Sequence, residues 1–396
     1  MTHHTRRSRR AGGRPRVRGL AAILAVPALS LAFAACGGDD SSSTSTSSAS
    51  SSGSSSDASA GIAEAQKRLE PFKAAPTKIT ITEPLKSKPP GGKTVVMLGT
   101  NDPNNQKLQK SLKNLAAMAK WNFDVVSYDP SNPATFNAAI DTALTKKATY
   151  VAEAGIPLTP AMIKKVQDGG AKWVLTSVHP AEVTPGGPII VNANAYANDA
   201  LMGKVLADFF VSDSKGKGNV IIEHVPAYPI LGGFTDGFQA EIKALCPGCK
   251  VKIQDITIPD LVAGKVPSVM VSALRKNPDA DYVAFDVGPF AAGIDAALAA
   301  AGLSDKVKVI GQAADEAAIS ALKTGKQLAW TGFDPVYSTY VMMDSMFRDS
   351  LGMPIDAEAA GLQTTQILTK ENVGDISSWS EPKDALSQFK ALWGLS

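Results

Sequence analysis

From residue 93 onward, short apolar runs alternate with stretches whose apolar residues recur every three or four positions. Residues 94–99 (TVVMLG) have the unbroken apolar character of a buried strand, and 104–120 carry helical spacing through Leu108, Leu112, Leu115 and Met118. The pattern then predicts strands at 123–128, 150–152 and 172–176, with helices at 133–147 and 160–168 between them. A second series predicts strands at 189–191, 220–223, 251–256, 282–285, 307–310 and 328–331. Helices at 198–211, 233–245, 261–276, 291–301, 316–323 and 336–351 alternate with them, the first with Asn198 or Asp199 as N-cap. Such alternation is the signature of a parallel sheet covered on both faces. The units are too many for one compact sheet, so two α/β lobes of roughly 100–150 residues each are expected. Residues 183–188 (VTPGGP) are the natural crossing between them.

The N-terminal 92 residues follow different rules. Residues 1–18 contain seven arginines, 19–35 are apolar, and Cys36 follows small residues. Basic, then apolar, then small is the grammar of a secretory signal peptide. Removing 1–35 from the 396-residue chain leaves 33 basic against 37 acidic residues, a net of −4 instead of the formal +3. Binding of nucleic acid by bulk positive charge is thereby disfavoured. Residues 39–60 hold 13 serines and no apolar side chain larger than Ala. They cannot offset their ordering entropy by burial, and predict a flexible tether. Residues 61–70 predict a short helix, and 71–92 a Pro- and Lys-rich arm.

Enzyme signatures are missing from the sequence. There is no Gly-x-Ser-x-Gly elbow, and no phosphate-binding glycine loop follows the first strand. Beyond the leader only His179 and His224 could act as imidazole bases. Three cysteines and four histidines, two of them in the leader, are too few for an ordinary zinc domain. Neither a metal nor a cofactor is expected. Cys246 and Cys249, three positions apart in an exported chain, are expected to form a local disulfide. Trp173 and Trp330 lie inside predicted strands and are expected in the core.

Several strings taken in order resemble one family. They are TVVMLGTNDPNNQ, YDPSNPATF, GGFTDGFQAEIKA, YVAFDVGPFAAGIDAAL, VKVIGQAADEAAISAL and ILTKENV. The chain resembles the type I periplasmic substrate-binding proteins, in the ribose-binding-protein-like branch of sugar ABC transporter lipoproteins. The run LAFAAC ending at Cys36 resembles a lipobox, which implies lipidation of that thiol and anchorage to the outer face of the cell membrane.

The resemblance implies two Rossmann-like lobes joined by a three-crossing hinge. Lobe one would comprise 93–185 and 336–368, and lobe two 186–335 and 369–396. It also implies a small, carbohydrate-like ligand held between the lobes, delivery to an ABC permease, and monomeric action. The alternatives left open are a ligand sensor for a membrane kinase or chemoreceptor, and a nucleoside-like or aromatic solute.

Ligands of open parallel sheets gather beyond the C-terminal strand ends. The candidates there in lobe one are Asn101, Asp102, Asn104, Glu153 and His179. In lobe two they are Tyr228, Asp286, Phe290, Gln312, Phe333 and Asp334, with Tyr337 as a further aromatic. The Arg that sugar binders of this branch place at the start of the 233–245 helix has no counterpart near Gly232. Lobe two therefore offers aromatic faces where the family pattern offers polar clamps.

Overall fold

The computed structural model describes residues 52–356, 360–380 and 382–395. The leader, Cys36 and the tether up to residue 51 lie outside them. The chain enters in α1 (Ser52–Leu69), nine residues earlier than the expected helix. It continues through an extended arm into a first sheet of β1 (Thr94–Gly99), β2 (Asn122–Ser127), β3 (Tyr150–Glu153), β4 (Lys172–Leu175) and β5 (Ile189–Asn192). The strands are all parallel, in the order β2-β1-β3-β4-β5. The crossover helices are α2 (Pro103–Met118), α3 (Pro133–Thr145) and α4 (Pro160–Asp168). Each starts alike: Asp102, Asn132 or Thr159 accepts a hydrogen bond from an amide of the first turn, and Pro occupies the opening position.

The second sheet contains β6 (Asn219–His224), β7 (Lys250–Asp255), β8 (Tyr282–Phe285), β9 (Lys308–Gly311), β10 (Ala329–Thr331) and β11 (Ile367–Thr369). Its order is β11-β10-β9-β8-β6-β7, and only β11 runs antiparallel. Its helices are α5 (Tyr196–Asp213), α6 (Gly232–Leu245), α7 (Ile258–Val262), α8 (Val266–Lys276), α9 (Ile294–Ala300) and α10 (Glu316–Thr324). The expected 261–276 helix is split into α7 and α8 at Gly264, which takes a positive φ of 66°. A disulfide joins Cys246, at the end of α6, to Cys249, before β7.

Strand pleating divides each lobe into two cores. Val95 and Met97 face α11 (Pro335–Ser350) and α12 (Ala385–Trp393), whereas Val96 and Leu98 face Phe136, Ile140 and Trp173. In the second lobe Val283 and Phe285 join Trp330 on one face, and Tyr282 and Ala284 join Phe210 and Phe238 on the other. Trp173 and Trp330 are fully buried.

The lobe boundaries differ from those expected. β5 pairs with β4, so the first crossing lies at residues 193–195 and not at the Pro- and Gly-rich 183–188, which only turns the chain within lobe one. The return falls at 332–334, between the end of β10 and the helix Pro335–Ser350. β11 already belongs to the second sheet, so the next crossing precedes residue 367. Phe389 and Trp393 of α12 are buried in the first lobe, adding a later crossing that sends the tail back.

The crossing segments are hydrogen-bonded to one another. The Gly332 amide donates to the Gln366 carbonyl at 2.7 Å, and Thr365 Oγ1 donates to the Gly332 carbonyl at 2.9 Å. A Cβ on Gly332 would lie 2.5 Å from the Trp379 ring, so only glycine allows this approach. The N-terminal arm also straddles the hinge. α1 places Ala65 and Leu69 in the second lobe, while Ile79 and Ile81 are buried in the first.

Candidate functional site

Three contacts establish which edges of the lobes face each other. The Ile230 amide donates to the Val178 carbonyl at 3.1 Å. The His179 and Tyr228 rings meet edge to face, 5.8 Å apart. Lys107 Nζ lies 3.1 Å from Glu316 Oε1. Val178, His179 and Lys107 follow β4 and β1, whereas Tyr228, Ile230 and Glu316 follow β6 and β9. The C-terminal strand ends of both sheets are therefore opposed, which is where parallel α/β sheets bind ligands.

On the first lobe, Glu153 ends β3 and is fully buried. Its Oε1 accepts from the Ile156 amide at 2.7 Å, and Oε2 has no partner among the described residues. Desolvation pushes its carboxyl up to about 8, against the opposing pull of the Ile156 and Ala154 amides. A cavity of about 460 Å³ opens beside it, lined by Asn101, Asp102, Tyr128 and Gly155 among others. Burial lowers the His179 pKa, against the opposing pull of the Gly155 backbone. Asp102 is the α2 N-cap, accepting from the Asn105 amide at 3.0 Å. Asn101 and Asn104 are exposed, and the buried amide of this loop is Asn105, whose Oδ1 accepts from Gln109 at 2.8 Å.

The second lobe is built differently. Asp286 follows β8, is fully buried, and neither of its carboxylate oxygens has a hydrogen-bond partner. His224 Nδ1 is 3.7 Å from Oδ2, an electrostatic contact too long for a hydrogen bond. The Asp286 amide donates to Glu223 Oε2 at 3.1 Å, and Gln312 Nε2 donates to Asp199 Oδ1 at 2.9 Å. Desolvation pushes Asp286 up to about 6 and holds Asp199 and Glu223 well above the usual carboxylate range. Asp286 beside it raises the His224 pKa.

Half-buried Tyr228 and Phe290 stack at 6.4 Å with an interplanar angle of 22°. Asp334 is the α11 N-cap, accepting from the Val336 amide at 2.9 Å, and Phe333 beside it is half-buried. Tyr337 is not an aromatic clamp: it is buried in the first lobe with Phe389, and its hydroxyl accepts from the Thr80 amide.

Sequence reasoning missed Asp199 and Glu223. Asp199 is not an N-cap, since Ala195 holds that position and Asp199 lies in the first buried turn of α5. Glu223 interrupts an otherwise apolar strand, VIIEH, and a buried strand offers an acid no place unless the acid has a task.

Residues 94–349 match the family model described as the periplasmic binding protein domain. The chain belongs to that family. No curated protein sequence matches it. Among solved structures it is similar to a periplasmic ribose ABC transporter from Conexibacter woesei, at 15% identity and TM-score 0.62, over 77% of this chain and 99% of that one. It is also similar to an ABC transporter solute-binding protein from Mycobacterium smegmatis with bound glycerol, at 18% identity and TM-score 0.58, over 74% and 98%. A third is an Actinobacillus succinogenes periplasmic solute-binding protein with bound D-allose, at 15% identity and TM-score 0.59, over 72% and 100%. These likenesses establish the shared two-lobed fold. Membership of the family gives the chain an extracytoplasmic location. Among the described residues no helix is long and apolar enough to cross a membrane.

Proposed function

We propose that this periplasmic binding protein captures a small carbohydrate-like solute between its lobes and delivers it, unaltered, to an ABC permease. The observation that carries the reading is the opposed pair of strand ends, with Glu153 on one side and Asp286 on the other, each buried with unmet acceptors. A buried polar atom without a partner costs about 1–3 kcal/mol, and a ligand that supplies the missing donors recovers it. Tyr228 and Phe290 offer flat faces for the C–H surface of a ring. Closure is a population shift: a ligand touching both walls binds the closed lobes better than the open ones. The leader and tether support export, lipidation at Cys36 and a monomer held at the membrane. The residues proposed to meet the ligand are Asn101, Glu153, His179, Tyr228, Asp286, Phe290, Gln312 and Phe333. Asp102, Asn104 and Asp334 frame the rim.

Titration calorimetry against sugars and polyols, with native mass spectrometry of the protein as purified, tests this reading. A bound or co-purifying solute, recovered chemically unchanged, is expected. Hydrolysis or modification of that solute would contradict it. Cys36→Ser should move the protein from the membrane fraction to the soluble fraction, and unchanged fractionation would remove the lipid anchor from the proposal.

A further inference from the structure

The cleft's hydrogen-bonding inventory is lopsided. Among the described residues, the second lobe's buried atoms without partners include both Asp286 oxygens, Glu223 Oε1, Asp199 Oδ2 and Gln312 Oε1, and Glu153 Oε2 is added from the first. All of them are acceptors when the acids are ionised. Beside them, among the described residues, stand the donors Asn198 Nδ2 and His224 Nδ1 and the Thr235 hydroxyl, which can donate or accept. A sugar hydroxyl both donates and accepts, so a neutral sugar would satisfy these oxygens and leave its own lone pairs unmet. A protonated amine has three donors and no acceptor.

Charge points the same way. The loops that follow β1, β3, β4, β6, β8, β9 and β10 contain no Arg or Lys. Lys107, early in α2, is exposed and paired with Glu316. Three helix N-termini near the cleft are already occupied: Asp102, Asp315 and Asp334 cap α2, α10 and α11. The opening amides of α6 are bonded to the Pro229, Ile230 and Leu231 carbonyls. The groups facing Asp286 are Glu223 and His224 from β6 and Asp199 from α5, and His224 itself faces Asp236 and Asp255. The protein supplies too little positive charge for this wall.

We infer that the cleft is selective for a hydroxylated amine such as an amino sugar, with its protonated nitrogen against Asp286 and Glu223 and its ring face against Tyr228 and Phe290. The inference rests on the cleft being the ligand site and narrows the ligand class. The aromatic pair supplies the flat apolar faces against which the C–H surface of such a ring can lie. The carboxyls' raised pKa values fit a wall without a cationic partner; binding an ammonium would return them to the ionised form and release protons.

The test is calorimetry of the full chain with D-glucosamine, D-galactosamine, their neutral parents D-glucose and D-galactose, and the N-acetylated forms. At pH 7.5 at least one amine is expected to bind tenfold or more tightly than its parent and its N-acetyl form. That advantage should shrink several-fold at pH 5.5, and titration in two buffers of different ionisation heat should register proton release. Asp286→Asn should cut the advantage to threefold or less. Glu153→Gln, in the other lobe, should reduce the proton release even if the first variant folds poorly. Neutral sugars binding as well as the amines, or an amine advantage independent of pH, would overturn the inference and leave the solute-binding reading standing. If neither class binds and nothing co-purifies, both fall.

Discussion

The two lobes repeat one architecture yet finish their strand ends differently. In the first, much of the polar side chain at the edge is used for folding: Asp102 caps a helix, Asn105 ties the loop, and only Glu153 keeps an unmet buried oxygen. In the second, Asp199, Glu223 and Asp286 share one buried corner with His224 and Gln312, and several of their atoms are unmet. A polar residue at a strand end is thus informative about binding only after the needs of the backbone have been subtracted.

The largest effects should come from the cores beneath these walls. Trp173→Ala and Trp330→Ala are each expected to cost about 3–5 kcal/mol in denaturant unfolding. Replacement by Phe should separate the lobes: Trp330 Nε1 donates to Gln327 at 2.8 Å, whereas Trp173 Nε1 has no partner, so Trp330→Phe should be the costlier of the two. Equal costs would show that this bond is not worth counting. Next in size, Asp286→Ala should weaken binding of the tightest ligand about a hundredfold. Asp102→Ala should change affinity less than threefold and lower stability by about 1 kcal/mol through the lost cap. The reverse ranking, measured by calorimetry and chemical denaturation, would invert the comparison of the two walls.

In acid–base behaviour the two lobes agree. Glu153 in the first lobe and Asp208 in the second are both pushed up to about 8, mainly by burial. The folded protein then holds protons that the unfolded chain has released, so stability falls as pH rises from the ordinary carboxylate range to about 8. The slope per group is at most about 1.4 kcal/mol per pH unit. Melting curves between pH 6 and 8 should flatten in part with Glu153→Gln and in part with Asp208→Asn; a profile unchanged by both would refute the assignment. The smallest effect is expected at the rim. Lys107→Ala should weaken ligand binding by less than about 1 kcal/mol, and that loss should fade in high salt, because the pair with Glu316 is exposed.

Much of the fold was legible because a two-sided parallel sheet writes itself as apolar runs between amphipathic helices. What escaped were features whose cause is distant in sequence. The crossing at Ala193, Asn194 and Ala195 has no turn-forming Pro or Gly, while the segment that looked like a crossing is a local turn before β5. α12 and the return of the tail depend on Phe389 and Trp393 finding Tyr337 and Phe347, contacts that local periodicity does not announce. At the site, Glu153, Asp286 and Gln312 were visible as polar residues ending apolar runs. Asp199 was hidden by its resemblance to a cap, and Glu223 by its position within a strand.

The central claim is that the two walls close on one ligand. Spin labels at Asn104→Cys and Ala227→Cys, on a Cys36→Ser background, place one exposed probe on each wall. Pulsed dipolar spectroscopy should give a distance distribution that narrows and shifts to shorter values when the tightest ligand of the panel is added. A distribution unchanged at saturating ligand would contradict the account.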